Sequence, residues 1–201
     1  MNQTAPVAAV IAAYNSRGTI AGVVEGVLRH LETVIVVDDG SSDGTAAAAA
    51  QAGADVIVLD QNRGKGNALR VLFAEARKRG FSAVVAIDAD GQHDADDIPA
   101  FLQQHREHPE AIVTGSRMGA AEYIPRHRLN SMIVARFFIS LASNLFIEDT
   151  QCGFRLYPLS VLETISLRKE RYVTETELLM KAGDSGREIR FLPIRAQYPV
   201  G

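Results

Sequence analysis

A single cysteine, Cys152, in 201 residues excludes an intramolecular disulfide and permits, without requiring, a reducing compartment. Neither charge is in excess. The 21 Lys and Arg against 24 Asp and Glu leave a net charge of −3, which argues against a nucleic-acid binder and against an acidic tail. The segment MIVARFFISLASNLFI, Met132 to Ile147, has only 16 residues with Arg136 inside it, too short to span a bilayer, and at 47% hydrophobic the chain is too polar for a membrane bundle. The N-terminal MNQTAPVAAVIAAYN has no basic stretch ahead of its apolar residues, so no signal peptide is expected. Internal repeats and linkers are missing too, and the short run Ala46 to Ala50 reads as helix. No G-x-G-x-x-G follows a strand-like run, which removes a nicotinamide oxidoreductase.

What the chain does have is a regular alternation. VAAVIAA (Val7 to Ala13), VIVVD (Val34 to Asp38), DVIVLD (Asp55 to Asp60), AVVAID (Ala83 to Asp88) and AIVTG (Ala111 to Gly115) have strand length. Between them, helical periods run near Thr19 to His30, Thr45 to Gln51, Gly66 to Arg79 and Asp96 to His108, and a last strand is expected from Glu188 to Arg195. Continuous rather than alternating apolar runs mean strands covered on both faces, and β-α-β-α order means a mostly parallel central sheet. The expected fold is therefore α/β, and 201 residues suit one domain spanning 1–201 with a sizeable core. Ligands of such sheets sit beyond the carboxyl ends of the strands.

Charge concentrates at those ends. VVAIDADGQHDADDI, Val84 to Ile98, passes from an apolar run into five aspartates. If the extended geometry persists through Ala89, Asp88 and Asp90 project to one side, and two carboxylates held that close repel unless a cation lies between them. Mg²⁺ or Mn²⁺ suits one or two carboxylates with phosphate oxygens and water, and Gln92 adds a neutral oxygen. Asp94, Asp96 and Asp97 read instead as caps of the following helix. The next segment is basic, with Arg117, Arg126, Arg128 and Arg136 against Glu122, which suits a metal beside an anionic ligand.

Three further strand ends add to this. VVDDGSSDGT leaves Asp38 and Asp39 to meet a nucleobase N–H or ribose hydroxyls, or to serve a polar turn, while Ser42 or Asp43 caps the next helix. AAYNS offers Tyr14 to stack on or edge a base, while Ser16 as a cap needs no ligand. NRGKGNAL offers glycine backbone beside Lys65 at a helix start, a site for diphosphate or an ordinary loop.

The ordered series AAYN, VVDDGSSDGT, NRGKGNAL, AIDADGQHDADDI, TGSR and DTQCGFRLY resembles the family 2 glycosyltransferases of GT-A fold, from about Val7 to Ala182. It is most similar to the branch of dolichyl-phosphate mannose synthase and bacterial polyprenyl-phosphate glycosyltransferases. The resemblance implies a Rossmann-like α/β/α sandwich and an inverting transfer of a hexose from a UDP- or GDP-sugar. By motif match, Ala13, Tyr14, Asn15, Asp38, Asp39, Lys65, Asp88, Ala89 and Arg117 would surround the nucleotide sugar. Asp88, Asp90 and Gln92 would hold Mg²⁺ or Mn²⁺ with the diphosphate, Asp90 serving catalysis.

Two acceptors stay open. A polyprenyl phosphate needs no strong base but needs cations, and in the resembled branch its phosphate would be bound where Arg126 and Arg128 lie, a stretch that otherwise reads as a solvated basic loop. A hydroxyl acceptor needs a base, for which Asp149 and Glu177 are the candidates. Glu175 and Glu177, two apart on a helix, cannot both face one site. Cys152 reads as a packed residue and not a nucleophile, since no activating pair lies near it in sequence. Met132 to Ile147 carries one narrow polar stripe; it packs under the sheet, forms a homodimer, or lies in the lipid interface. Many relatives continue into transmembrane helices where this chain stops, either as a natural soluble or peripheral enzyme or as a chain trimmed of a C-terminal membrane region. The expected location is cytoplasmic, or peripheral at the inner face of the membrane. Outside the transferases, a sugar nucleotidyltransferase would want Gly, Arg and Lys where this chain has AAYNSRGT, and a non-catalytic nucleotide-sugar-binding module would be marked by loss of the aspartates.

Overall fold

The computed structural model describes residues 6–117, 149, 152–164 and 174–195. Its strands are β1 (Val7–Ala13), β2 (Val34–Asp38), β3 (Asp55–Val58), β4 (Ala83–Ala86), β5 (Ile112–Ser116), β6 (Arg155–Pro158) and β7 (Ile189–Pro193), side by side in the order β3-β2-β1-β4-β6-β5-β7. The helices are α1 (Ile20–Leu28), α2 (Thr45–Gln51), α3 (Lys65–Lys78), α4 (Ile98–Glu107), α5 (Leu159–Thr164) and α6 (Thr174–Asp184). Neighbouring strands are parallel except at β6, which runs antiparallel to both β4 and β5.

Strand residues alternate between two cores, which is why the apolar runs are continuous. Ala9, Ile11, Val34, Val36, Val85 and Val113 face α1, α2 and α4. Ala8, Val10, Ile35, Val37, Val84 and Ile112 face α3, α5 and α6. Val10, Ile11, Ile35 and Val36 are fully buried; truncating either isoleucine to Ala should cost about 2–5 kcal/mol.

The elements from Val7 to Gly115 fall where the alternation places them. Strands β3 and β4 stop early, at Val58 and Ala86, because the chain turns as soon as its acids begin. The antiparallel β6 was not foreseen. Its RLYP offers a charged residue and a proline in four positions, and only the tertiary fold buries Arg155 completely. Among the described residues, no helix is long and apolar enough to cross a membrane. Arg126, Arg128 and the segment Met132 to Ile147 lie outside the described residues.

Candidate active site

From β1 the chain steps outward to β2 and β3, then returns to β4 on the other side of β1. A reversal of that kind leaves a crevice above the carboxyl ends of the two central strands. Ala13 ends β1 there with Tyr14 and Asn15 following, Asp38 ends β2 with Asp39 following, and Asp88, Ala89 and Asp90 come after β4. Tyr14 is 49% exposed, one of two large hydrophobic side chains described as exposed.

The loops at this end are sewn together by the side chains of Asn15, Ser41, Asp43 and Thr45, of which sequence patterning had assigned only Asp43 to a helix cap. Asn15, at φ +49°, donates its amide to Ser41 Oγ (2.8 Å) and accepts from the Ser42 amide (3.1 Å). The Ser16 amide donates to Thr45 Oγ1 (2.7 Å) and the Arg17 amide to Asp43 Oδ2 (3.1 Å). Asp43 also accepts from the Thr45 amide at the start of α2 (3.0 Å), as a cap would. Ser16 makes no side-chain cap; its hydroxyl donates to the Tyr14 carbonyl (3.2 Å).

Asp38 and Asp39 are both buried. Asp38 accepts from the amide and hydroxyl of Ser41. Asp39 accepts the amides of Arg63 (2.9 Å) and Gly64 (2.7 Å), one on each oxygen, and so ties β2 to the loop that leads into α3. Gly40, at φ +75°, lies against that same loop: a Cβ there would sit 2.7 Å from the Gln61 carbonyl carbon, so no other residue fits. This brace fixes Lys65 at the first position of α3.

Lys65 is the centre of the site. Its Nζ lies 2.5 Å from Asp88 Oδ1 and 3.1 Å from Glu175 Oε2. On the other side of Asp88, His93 Nε2 faces Oδ2 at 3.4 Å, and the His93 ring packs on Phe154, which stacks on Phe101 of α4. The Asp88 carboxylate occupies the space where a Cβ on Gly153 would be. Burial alone would lower the Lys65 pKa and raise that of Asp88. Asp88 and Glu175 outweigh burial and raise Lys65, while the His93 contact and the Lys65 charge hold Asp88 well below the usual carboxylate range. Both are charged at neutral pH.

The structure changes the geometry expected at Asp88 and Asp90. The strand ends at Ala86 and the chain turns at Ala89 and Asp90, so extended backbone does not carry both carboxylates to one side. Asp88 meets Lys65, whereas the exposed Asp90 accepts from the Gln92 amide (2.9 Å) and lines a cleft of about 330 Å³ with Thr19, Val23, Arg29 and His93. Thr19 Oγ1 donates to the Ala89 carbonyl (2.6 Å) and pins that turn to α1. Among the described residues, no group of three or more His, Cys, Asp or Glu side chains comes together as a metal cluster. Of the three outer aspartates, only Asp94 caps, accepting from the Asp96 amide (2.9 Å). Asp96 pairs instead with Arg29 and His30, and Asp97 with Arg195.

On α6 the two glutamates point apart as expected, and the one that reaches the centre is Glu175. Glu177 pairs with Lys181 at 2.7 Å on its own helix. Sequence patterning had favoured Glu177; nothing local distinguished the two, because the choice depends on the rotation of α6. Asp149, with its side chain fully buried, holds Arg117 in a two-pronged ion pair, Nε to Oδ2 at 2.7 Å and Nη2 to Oδ1 at 2.9 Å. Cys152 is buried, and burial pushes its thiol up to about 12.

A doubly covered sheet with an acidic and basic crevice at its switch point is the architecture of the GT-A glycosyltransferases. The fold is similar to glucosyl-3-phosphoglycerate synthase from Mycobacterium tuberculosis in complex with Mn²⁺, UDP-glucose and glycerol 3-phosphate, with a TM-score of 0.74 and 21% identity over 98% of this chain and 74% of that one. Residues 8–166 match Glycosyl transferase family 2, and the chain belongs to that family. It is 30% identical to the UDP-N-acetylglucosamine–dolichyl-phosphate N-acetylglucosaminyltransferase of Methanococcus voltae, covering 94% of this chain and 84% of that protein. Polyprenol monophosphomannose synthase of Mycolicibacterium smegmatis is 29% identical, over 92% and 75%. The protein is a glycosyltransferase.

Proposed function

We propose that this chain transfers a hexose, with inversion, from a UDP- or GDP-sugar to a polyprenyl phosphate. The observation that carries the acceptor is the state of the two candidate bases. Asp149 is buried in its ion pair with Arg117, and Glu177 is paired with Lys181. A hydroxyl acceptor would need one of them to accept a proton; a phosphate is ionised near neutral pH and needs none. The Methanococcus relative, a dolichyl-phosphate N-acetylglucosaminyltransferase, and the Mycolicibacterium relative, a polyprenol monophosphomannose synthase, agree with this reading.

In this reading Tyr14 stacks on the base beside Ala13 and Asn15. Asp38 is the carboxylate that would accept a nucleoside N–H, with its second oxygen, since Asp39 has both oxygens on backbone amides and Ser41 takes only Oδ1 of Asp38. Lys65 meets the diphosphate, Arg117 a phosphate, and Arg126 with Arg128 the acceptor phosphate. Asp88, Asp90 and Gln92 present hard oxygens that fit Mg²⁺ or Mn²⁺, provided that most of the ion's ligands come from diphosphate and water. The fit has a structural sign: the Asp88 carboxylate, seated where Gly153 has no side chain, already takes a cation, the Lys65 ammonium. A bound ion would supply charge stabilisation for the departing diphosphate. Asp90, Lys65 and Arg117 would orient that diphosphate, and losing one such group should cost about two to three decades in rate.

The test is transfer of labelled sugar to undecaprenyl or dolichyl phosphate in detergent, from pooled UDP- and GDP-sugars with Mg²⁺ and Mn²⁺. Labelled lipid is expected from the wild type and not from Asp90→Ala. Nucleotide release without labelled lipid would overturn the acceptor, and Asp90→Ala turning over at the wild-type rate would overturn the metal site.

A further inference from the structure

Asp88 is assigned to two cations. Its Oδ1 holds the Lys65 ammonium at 2.5 Å, and the reading above gives the same carboxylate to a divalent ion. Its other oxygen faces His93, and Gly153 closes the space behind it. An ion taken by Oδ1 would share that oxygen with the Lys65 ammonium, and two cations a few ångströms apart repel.

We propose that Lys65 is the resident cation of Asp88 and competes with the divalent ion for it, the ammonium withdrawing to Glu175 when Asp88 takes the ion. This rests on the placement of the metal at Asp88 proposed above.

The second berth is already built. Glu175 Oε2 lies 3.1 Å from Nζ, so withdrawal needs rotation of the lysine stem and no backbone movement. Lys65 is 42% exposed along its side chain, which leaves that stem room to turn. Glu175 is fixed at the start of α6, where its carbonyl accepts from Nη1 of the fully buried Arg155 at 2.9 Å. The consequence is an ordered site. Without donor, the Asp88 charge is neutralised internally and bare metal binds weakly; with donor, the diphosphate contributes the ligands that tip Asp88 toward the ion, and the released ammonium stands beside the leaving group. Glu175 thereby becomes a positioning residue for the transfer, acting through Lys65.

The test is Mn²⁺ binding to the full chain without nucleotide, followed by the electron paramagnetic resonance of free Mn²⁺, with thermal melts to show that each variant is folded. Opposite or like charges within about 4–6 Å move ionic equilibria by one to three decades, so Lys65→Met should bind Mn²⁺ at least about tenfold more tightly than wild type. Lys65→Arg keeps the cation and should stay near the wild-type affinity. Asp88→Asn should bind more weakly than either. Lys65→Met binding no more tightly than wild type, or not at all, overturns the competition, and if Asp88→Asn is still weaker the metal site itself survives. Asp88→Asn binding as well as wild type instead removes the metal from Asp88, a different failure.

Discussion

The Asp88 carboxylate occupies the volume that any side chain on Gly153 would need. The two come from distant parts of the chain, one after β4 and the other just before β6, and β6 pairs with β4 in antiparallel register, Ala86 opposite Arg155. The inserted strand thus brings a glycine to the back of the carboxylate that pairs with Lys65. Gly153→Ala should push Asp88 off Lys65, lowering transfer by about two decades while the overpacking costs about 1–3 kcal/mol of stability. Steady-state rates beside a denaturation curve check it; an active Gly153→Ala enzyme would mean that Asp88 does not need this position.

Asp39 gives a second separation of roles. With both oxygens on the amides of Arg63 and Gly64, it acts as a brace, and a brace matters without any ligand. Asp39→Asn replaces two charge-assisted bonds and turns an NH₂ toward an N–H donor, a loss of about 2 kcal/mol. Urea unfolding without nucleotide should show that loss. Unchanged stability with weakened nucleotide binding would instead make Asp39 a direct nucleoside contact.

The alternating apolar runs made the strand and helix series through Gly115 legible, because both sheet faces are covered and each strand declares itself without reference to its partners. The strand-end acids were legible for the same reason. Pairing between distant segments was not. That Glu175 rather than Glu177 meets Lys65, that Asp149 is consumed by Arg117, and that Arg155 sits in a buried strand all depend on β6 and the rotation of α6. No local period encodes those. Ser42 and Asp43 read as caps of the next helix, and the bonds that Ser41, Ser42 and Asp43 make to the loop after β1 appear only when the two strand ends lie side by side. Gly153 had one weak signal, its place within the motif QCGFR.

Cys152 supplies a prediction in pH. Its thiol is raised, by burial and then by the nearby Asp149 charge, to about 12. A raised acid is neutral below its pKa, so at pH 8 only about one thiol in ten thousand is ionised. Iodoacetamide should leave the folded protein unlabelled at pH 8 and label it at once in urea. Rapid labelling of the native protein would mean that the thiol is neither buried nor suppressed.

The Arg117–Asp149 pair offers the sharpest division between the two acceptor chemistries. Removing one partner of a buried ion pair leaves the other charge uncompensated, at a cost on the order of 3 kcal/mol. In a chain of this size that is a fall in melting temperature of about 6–12 °C for Asp149→Asn. The Asp149 carboxylate is fully enclosed and Arg117 nearly so, which makes solvent a poor substitute for the lost partner. Arg117→Lys should lose most of the same stability, because an ammonium cannot reproduce the two-pronged contact. If Asp149 were instead the base for a hydroxyl acceptor, Asp149→Asn would melt near the wild-type temperature, and its loss would fall on kcat with the acidic limb of the pH profile removed. Calorimetry of both variants, run beside their transfer rates, separates a carboxylate that holds an arginine from one that takes a proton.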